Sequence, residues 1–165
     1  MRENIKRSVD MHVAAYVAPG LPRDAIDYGD PSFNENDHAE WIRVHLLGPQ
    51  FLTMGRTKSA SVRLQEVLYR PHLNLYVKPS RQVIAHRIDQ MRDLVSAAFR
   101  EWGGIVIYDL VADPSGNTAL GQMPIRRVNL DDPVTSIDKS TGLPVEDLSQ
   151  WAYSVDCRWI ERWAP

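Results

Sequence analysis

Trp151, Tyr153, Val155, Cys157 and Trp159 alternate with Ala152, Ser154, Asp156 and Arg158 towards the C-terminal end of the chain. Successive side chains of a strand point to opposite faces, so this period of two puts all five large apolar groups on one side. A strand cannot satisfy its backbone alone, and an aromatic face of this size must be covered. The chain is therefore committed to a sheet with something packed on it.

Other segments read as partners for that strand. In "WIRVHLL" (Trp41–Leu47), Ile42, Val44 and Leu46 alternate with Arg43 and His45. Val62, Leu64 and Leu68 share a face in "SVRLQEVLY" (Ser61–Tyr69), although Glu66 interrupts it; Leu73, Leu75 and Val77 alternate with Asn74 and Tyr76. Between the last two, Arg70-Pro71 predicts a tight corner or bulge, because proline has no N–H for a ladder. "IVIYDLV" (Ile105–Val111) and a short "PIRRVNL" (Pro124–Leu130) complete the set.

Two helices are expected. Ile5, Val9, Val13, Tyr16 and Val17 fall on one stripe of a 3.6-residue repeat, ended by Pro19-Gly20 and Pro22. Ile84, Ile88, Met91, Val95, Ala98 and Phe99 form a second stripe, with Ser80 as N-cap and Gly103-Gly104 as the stop. Both stripes read as core. The expected class is α+β, a mainly antiparallel sheet with two helices packed on one face. Residues 112–150 are dominated by Pro, Gly, Asp, Asn, Ser and Thr, and predict an extended loop or arm before the C-terminal strand, all within a single domain, 1–165.

The composition narrows the function more by exclusion than by indication. A formal net charge of −2 argues against a surface built to grip polyphosphate. The single Cys157 leaves no intrachain disulfide framework and suits a small core hydrophobe. No signal peptide and no run of about 20 apolar residues is visible, so the protein is expected to be soluble and intracellular, without a membrane partner.

A search for chemistry finds little. "GPQFLTMGRTKS" has six residues between Gly48 and Gly55, and Arg56-Thr57 precedes Lys58, so it lacks the spacing of a phosphate loop. His12, His38, His45, His72 and His86 show no metal-ligand spacing, and no Cys-x-x-Cys pair occurs. Asp109, Asp113, Asp131 and Asp132 read as turn and strand-end residues rather than ligands, and Arg126-Arg127 as solvated or interface charges. There is no G-x-S-x-G elbow. The expectation is a protein that is not an enzyme and holds no cofactor or metal.

One stretch runs against its setting. Between the strands Trp41–Leu47 and Ser61–Tyr69 lies "FLTMGRTKSA", read as a connecting loop. Such connectors are surface segments and ordinarily polar. This one carries Phe51, Leu52 and Met54 beside the cations Arg56 and Lys58. Two accounts fit: the apolar groups fold back over their own core, or they form a patch buried only on assembly. Phe, Met and Arg are the residue types enriched in interfaces.

The order of elements also resembles a known family. A helix leads into "IDYGDPSFN", then "AEWIRVHLLG", a Gly-Arg turn, a strand pair and "RIDQMRDLVSAAF". This resembles the tail terminators of long-tailed bacteriophages, the lambda-type minor tail proteins, in which a Y-G-(N/D)-x-x-F approach precedes a W-(I/V)-R strand. The likeness spans about residues 1–111. It implies a non-catalytic virion protein assembled in the host cytoplasm. Its members form a homohexameric ring on the head-proximal end of the tail, ending growth of the tail tube protein. The ring also offers a face to head-completion or connector proteins, while phage DNA passes through the lumen without specific binding. Another head-to-tail connector, or a small binding module, remains the alternative. Under the assembly account, Phe51, Leu52, Met54, Arg56 and Lys58 form the interface, with Asp131 and Asp132 as acidic partners across it.

Overall fold

The computed structural model describes residues 1–56, 63–78, 87–100, 102–130, 134–137 and 144–163. In chain order these form α1 (Arg2–Val17), a 3-10 turn (Arg23–Ala25), β1 (Ile26–Asp27), a second 3-10 turn (Glu35–Asp37), β2 (Glu40–Arg56) and β3 (Arg63–Val77). Then follow α2 (Arg87–Ala98), β4 (Gly104–Tyr108), β5 (Ala119–Leu130), β6 (Val134–Ile137) and β7 (Pro144–Trp163). The strands make one sheet in the order β1-β2-β3-β7-β5-β4, with β6 paired to β7. Only β1 and β2 run parallel; the other pairings are antiparallel. The class is α+β.

Alternation decides what is buried. Val67, Tyr69, Leu73, Leu75 and Val77 of β3 and Tyr153, Val155, Cys157 and Trp159 of β7 all enter one apolar cluster. Ile5, Val9, Val13 and Val17 of α1 and Met91 and Val95 of α2 enter the same cluster. Tyr16, placed on the α1 stripe from its spacing, is instead 46% exposed. Two polar residues that periodicity passes over are buried on α1 as well. Asn4 accepts from the Val111 N–H (2.9 Å) and donates to Asp109 Oδ1 (2.9 Å), while Ser8 Oγ accepts from the Tyr108 N–H (2.9 Å). These bonds fasten α1 along the end of β4 and satisfy groups that would be costly to bury unpaired.

Three local expectations are corrected. The Arg70-Pro71 step is no corner: β3 continues through it, with Pro71 opposite Leu46, and its register with β7 is the same before and after the step. The irregularity lies in β2, whose register shifts between Leu47 and Gln50. There Gly48 has φ +106°, and a Cβ on it would stand 2.8 Å from the Leu68 carbonyl oxygen, so only glycine fits. Second, the expected strand Ile105–Val111 stops at Tyr108, and a turn follows.

Third, the stretch 112–150 is not an irregular arm throughout. It contains the whole of β5 and β6 and the start of β7. The second half of β5 falls on the expected strand Pro124–Leu130, while its first half hides in the sequence because Gly121 interrupts it and Ala119–Gln122 are exposed. Pairing with β4 and β7 makes it a strand, a contribution that propensity cannot carry. Residues 131–133 and 138–143 of that stretch, with Ser80 and Ile84 of the second helical stripe, lie outside the described residues.

Met91 is fully buried while Ile88 is only partly so. Met91→Ala is expected to cost about 2–5 kcal/mol in urea-induced unfolding, and Ile88→Ala distinctly less. Equal losses would contradict the orientation of α2.

Candidate assembly surface

The segments carrying "YGDPSF" and "WIR" form one tethered corner at the start of β2. Asp27 on β1 sits in register with Arg43 on β2. Its carboxylate accepts from Arg43 Nε (2.6 Å) and from the Gly29 N–H (2.7 Å), and its side chain is 6% exposed. Gly29 turns the chain at φ +87°, and Asp30 then accepts from the backbone N–H and the hydroxyl of Ser32. Phe33 stacks on His38 (4.9 Å between ring centres), and Trp41 stacks on Tyr76 (4.8 Å) beneath the Lys78 ammonium. Asp27, Gly29, Asp30, Phe33, Trp41 and Arg43 thus each have a folding task in this corner. The corner also borders an open cleft of about 410 Å³, whose polar groups include Arg23, Asp24, Tyr28, Asp30, Asp37 and His38. Burial pushes the Tyr28 hydroxyl up to about 12, and the Ser32 hydrogen bonds hold Asp30 below the usual carboxylate range. Neither is poised to exchange a proton near neutrality.

Removing Arg43 would leave the buried Asp27 carboxylate with the Gly29 N–H but without its cation. Arg43→Ala is expected to cost about 1–3 kcal/mol in chemical denaturation. An unchanged midpoint would show that the corner is held by other contacts.

Past this corner β2, β3 and β7 continue together as a three-stranded arm. β2 pairs β3 as far as Arg56 opposite Arg63, and Arg63 in turn lies opposite Trp163. The stretch read as a loop is therefore strand from Phe51 to Arg56. The Gly48-Pro49 step is a bulge, and pairing resumes at Gln50 opposite Leu68.

Large apolar groups meet solvent on the arm, as they also do elsewhere, at Trp102 and Val111 for example. Phe51 is 55% exposed, Ile160 61%, and Leu47 and Leu52 are exposed too. Phe51 stands opposite Val67 and so projects from the face that carries the core, whereas Leu47 stands opposite Arg70 on the other face. On that other face Leu47, Leu68 and Ile160 step diagonally across the three strands. Two ion pairs tie the same strands together: Arg70 Nε to Asp156 (2.6 Å) and Arg158 to Glu66 (2.9 Å).

The seven residues assigned to an interface from sequence are thus only partly in view. Phe51 and Leu52 present exposed side chains, and Met54 and Arg56 lie on the β2 backbone opposite Gln65 and Arg63. Lys58, Asp131 and Asp132 fall outside the described residues. Sequence reasoning did not assign Leu47 or Ile160, although the alternation of each strand puts both on the face opposite the apolar one.

Asp109 and Asp113 are turn residues. Asp113 accepts from Ser115 and from Thr118 Oγ1, and these bonds hold its carboxyl below the usual range. Among the described residues no group of three or more His, Cys, Asp or Glu could hold a metal ion. Also among the described residues, no helix is long and apolar enough to cross a membrane. A scan against protein-family models and a search of curated proteins give no match for this chain.

Cys157 lies opposite Tyr69 and Ile125, fully buried, and burial pushes its thiol up to about 12. A thiol held neutral and covered is inert. Iodoacetamide at pH 8 should leave Cys157 unmodified in the native protein and label it fully in denaturant. Rapid native labelling would mean that the β7 face opens.

Proposed function

We propose that this chain is a structural virion protein of the tail-terminator type. It assembles as a ring, of six copies on the family pattern, that caps the head-proximal end of a phage tail tube. One face ends addition of tube subunits and the other receives a head-completion protein. In this reading the chain is a single domain whose two helices cover one face of the sheet. It acts by occupancy, not catalysis, with no cofactor. DNA slides through a lumen that need not be basic, in keeping with a net charge of −2.

The observation that carries the reading is the exposure of Phe51 and Leu52 on the arm of a chain whose N-terminal two thirds resemble that family. An apolar group left in water by the folded subunit adds little to its stability. It becomes valuable when a neighbour covers it, and one ring subunit presents two different patches to its two neighbours.

Phe51→Ala is expected to leave the melting temperature of the free subunit nearly unchanged. It should weaken association by about 2 kcal/mol, measured by light scattering across a dilution series. A large loss of stability with normal association would return Phe51 to the core. In cells, a phage lacking this protein should accumulate unjoined capsids and overlong tail tubes. Normal-length tails joined to heads would remove the terminator assignment; unjoined tails of normal length would favour a different head-to-tail connector.

A further inference from the structure

The arm has two bare edges. On one side of β2, β1 covers only Ile42 and Arg43, and among the described residues no strand pairs with that edge further along. On the far side of β7, β6 and β5 cover the strand only as far as Cys157, opposite Ile125. From Arg158 to Trp163, β7 pairs among the described residues with β3 alone. Each bare edge presents backbone N–H and C=O groups without a strand to take them, and such edges invite another strand.

The two edges match. Thr53, Met54, Gly55 and Arg56 stand opposite Glu66, Gln65, Leu64 and Arg63, which stand opposite Ile160, Glu161, Arg162 and Trp163 in turn. The open runs Thr53–Arg56 and Ile160–Trp163 therefore occupy the same levels of the arm. Both strands are antiparallel to β3, so they run in the same direction. Nearer the body, β2 carries register shifts around Gly48-Pro49 and at Leu52, the kind of irregularity that blunts an edge. Beyond them neither run carries a register shift, although Arg56, Glu161 and Arg162 are charged.

We propose that neighbouring copies join through these edges, β7 of one subunit pairing parallel with β2 of the next, so that the arms form one continuous sheet around the ring. The inference rests on the assembly reading above and identifies the edges that meet. A second copy is the occupant that suits the geometry, because each chain carries both halves of the joint at the same height. Pairing β2 with β2 about a two-fold axis would leave every β7 edge open. Only head-to-tail pairing that closes on itself removes both edges from every copy, as closure does in a barrel. Phe51 and Ile160, on opposite faces of the arm, would then be flanked by the adjoining arm.

The test is cross-linking of the purified full chain with a short bifunctional thiol reagent, aided by the inertness of Cys157. The variants are Thr53→Cys, Ile160→Cys and the two combined. The double variant should give a ladder of covalent oligomers ending at the ring size, and each single variant should give essentially none. A dimer from Thr53→Cys alone would overturn the proposal in favour of two-fold β2 pairing. Absence of a ladder from a double variant that still forms rings by light scattering would also overturn it, leaving the terminator reading intact. Absence of both ladder and rings, at concentrations where the wild type forms rings, is scored by Ile160→Pro. That change should lower association of the wild-type sequence at least tenfold, and undiminished ring formation would sink the edge joint. A wild type that forms no rings, alone or on tube ends, overturns both.

Discussion

Strand β3 is paired along its length, by β2 on one side and β7 on the other, and the rest of the molecule depends on that three-strand alignment. It sets the face on which Val67, Tyr69, Leu73, Leu75 and Val77 meet Tyr153, Val155, Cys157 and Trp159. A slip of one residue in either ladder would turn that apolar set to solvent. The register is protected where it is most at risk. Pro71 lacks an N–H, yet β3 keeps the same offset to β7 across it, and the extra length is absorbed in β2 at Gly48.

The same alignment carries the sheet beyond its core. Near Trp41 the strands are held by the Asp27–Arg43 pair, the stacked Trp41 and Tyr76, and the apolar cluster. Towards Arg56 and Trp163 the same three strands bear exposed Phe51, Leu52 and Ile160. One continuous ladder thus links a packed body to an arm with uncovered apolar groups. An arm of this kind gains little by folding alone, since a three-stranded ribbon is stable only with a buried face. Its order depends on the ladder that continues into it from the body.

Much of the body was legible. Ile5, Val9, Val13 and Val17, the alternation in Trp151–Trp159 and the run Leu73–Val77 all report a period, and a period reports which face is apolar. What escaped were residues whose partners are distant in sequence. Asn4 and Ser8 look like surface positions until Val111 and Tyr108 supply their hydrogen bonds. The first half of β5, from Ala119 to Met123, looks like a loop until β4 pairs with it. At the candidate surface, the apolar character of Phe51 and Leu52 was plain, but the segment read as a loop is strand, because β2 continues past a bulge at Gly48-Pro49 to Arg56.

The sequence by itself determined the class of the fold and the presence of unusual apolar groups around Phe51, since both follow from local periodicity and side-chain chemistry. The tertiary structure decided that those groups ride on a strand and that Leu47 and Ile160 join them in solvent. It also leaves the ends of β2 and β7, among the described residues, paired with β3 alone at matching levels. The reason is physical: period and propensity act between near neighbours, whereas exposure and edge pairing depend on which distant strands come to lie alongside.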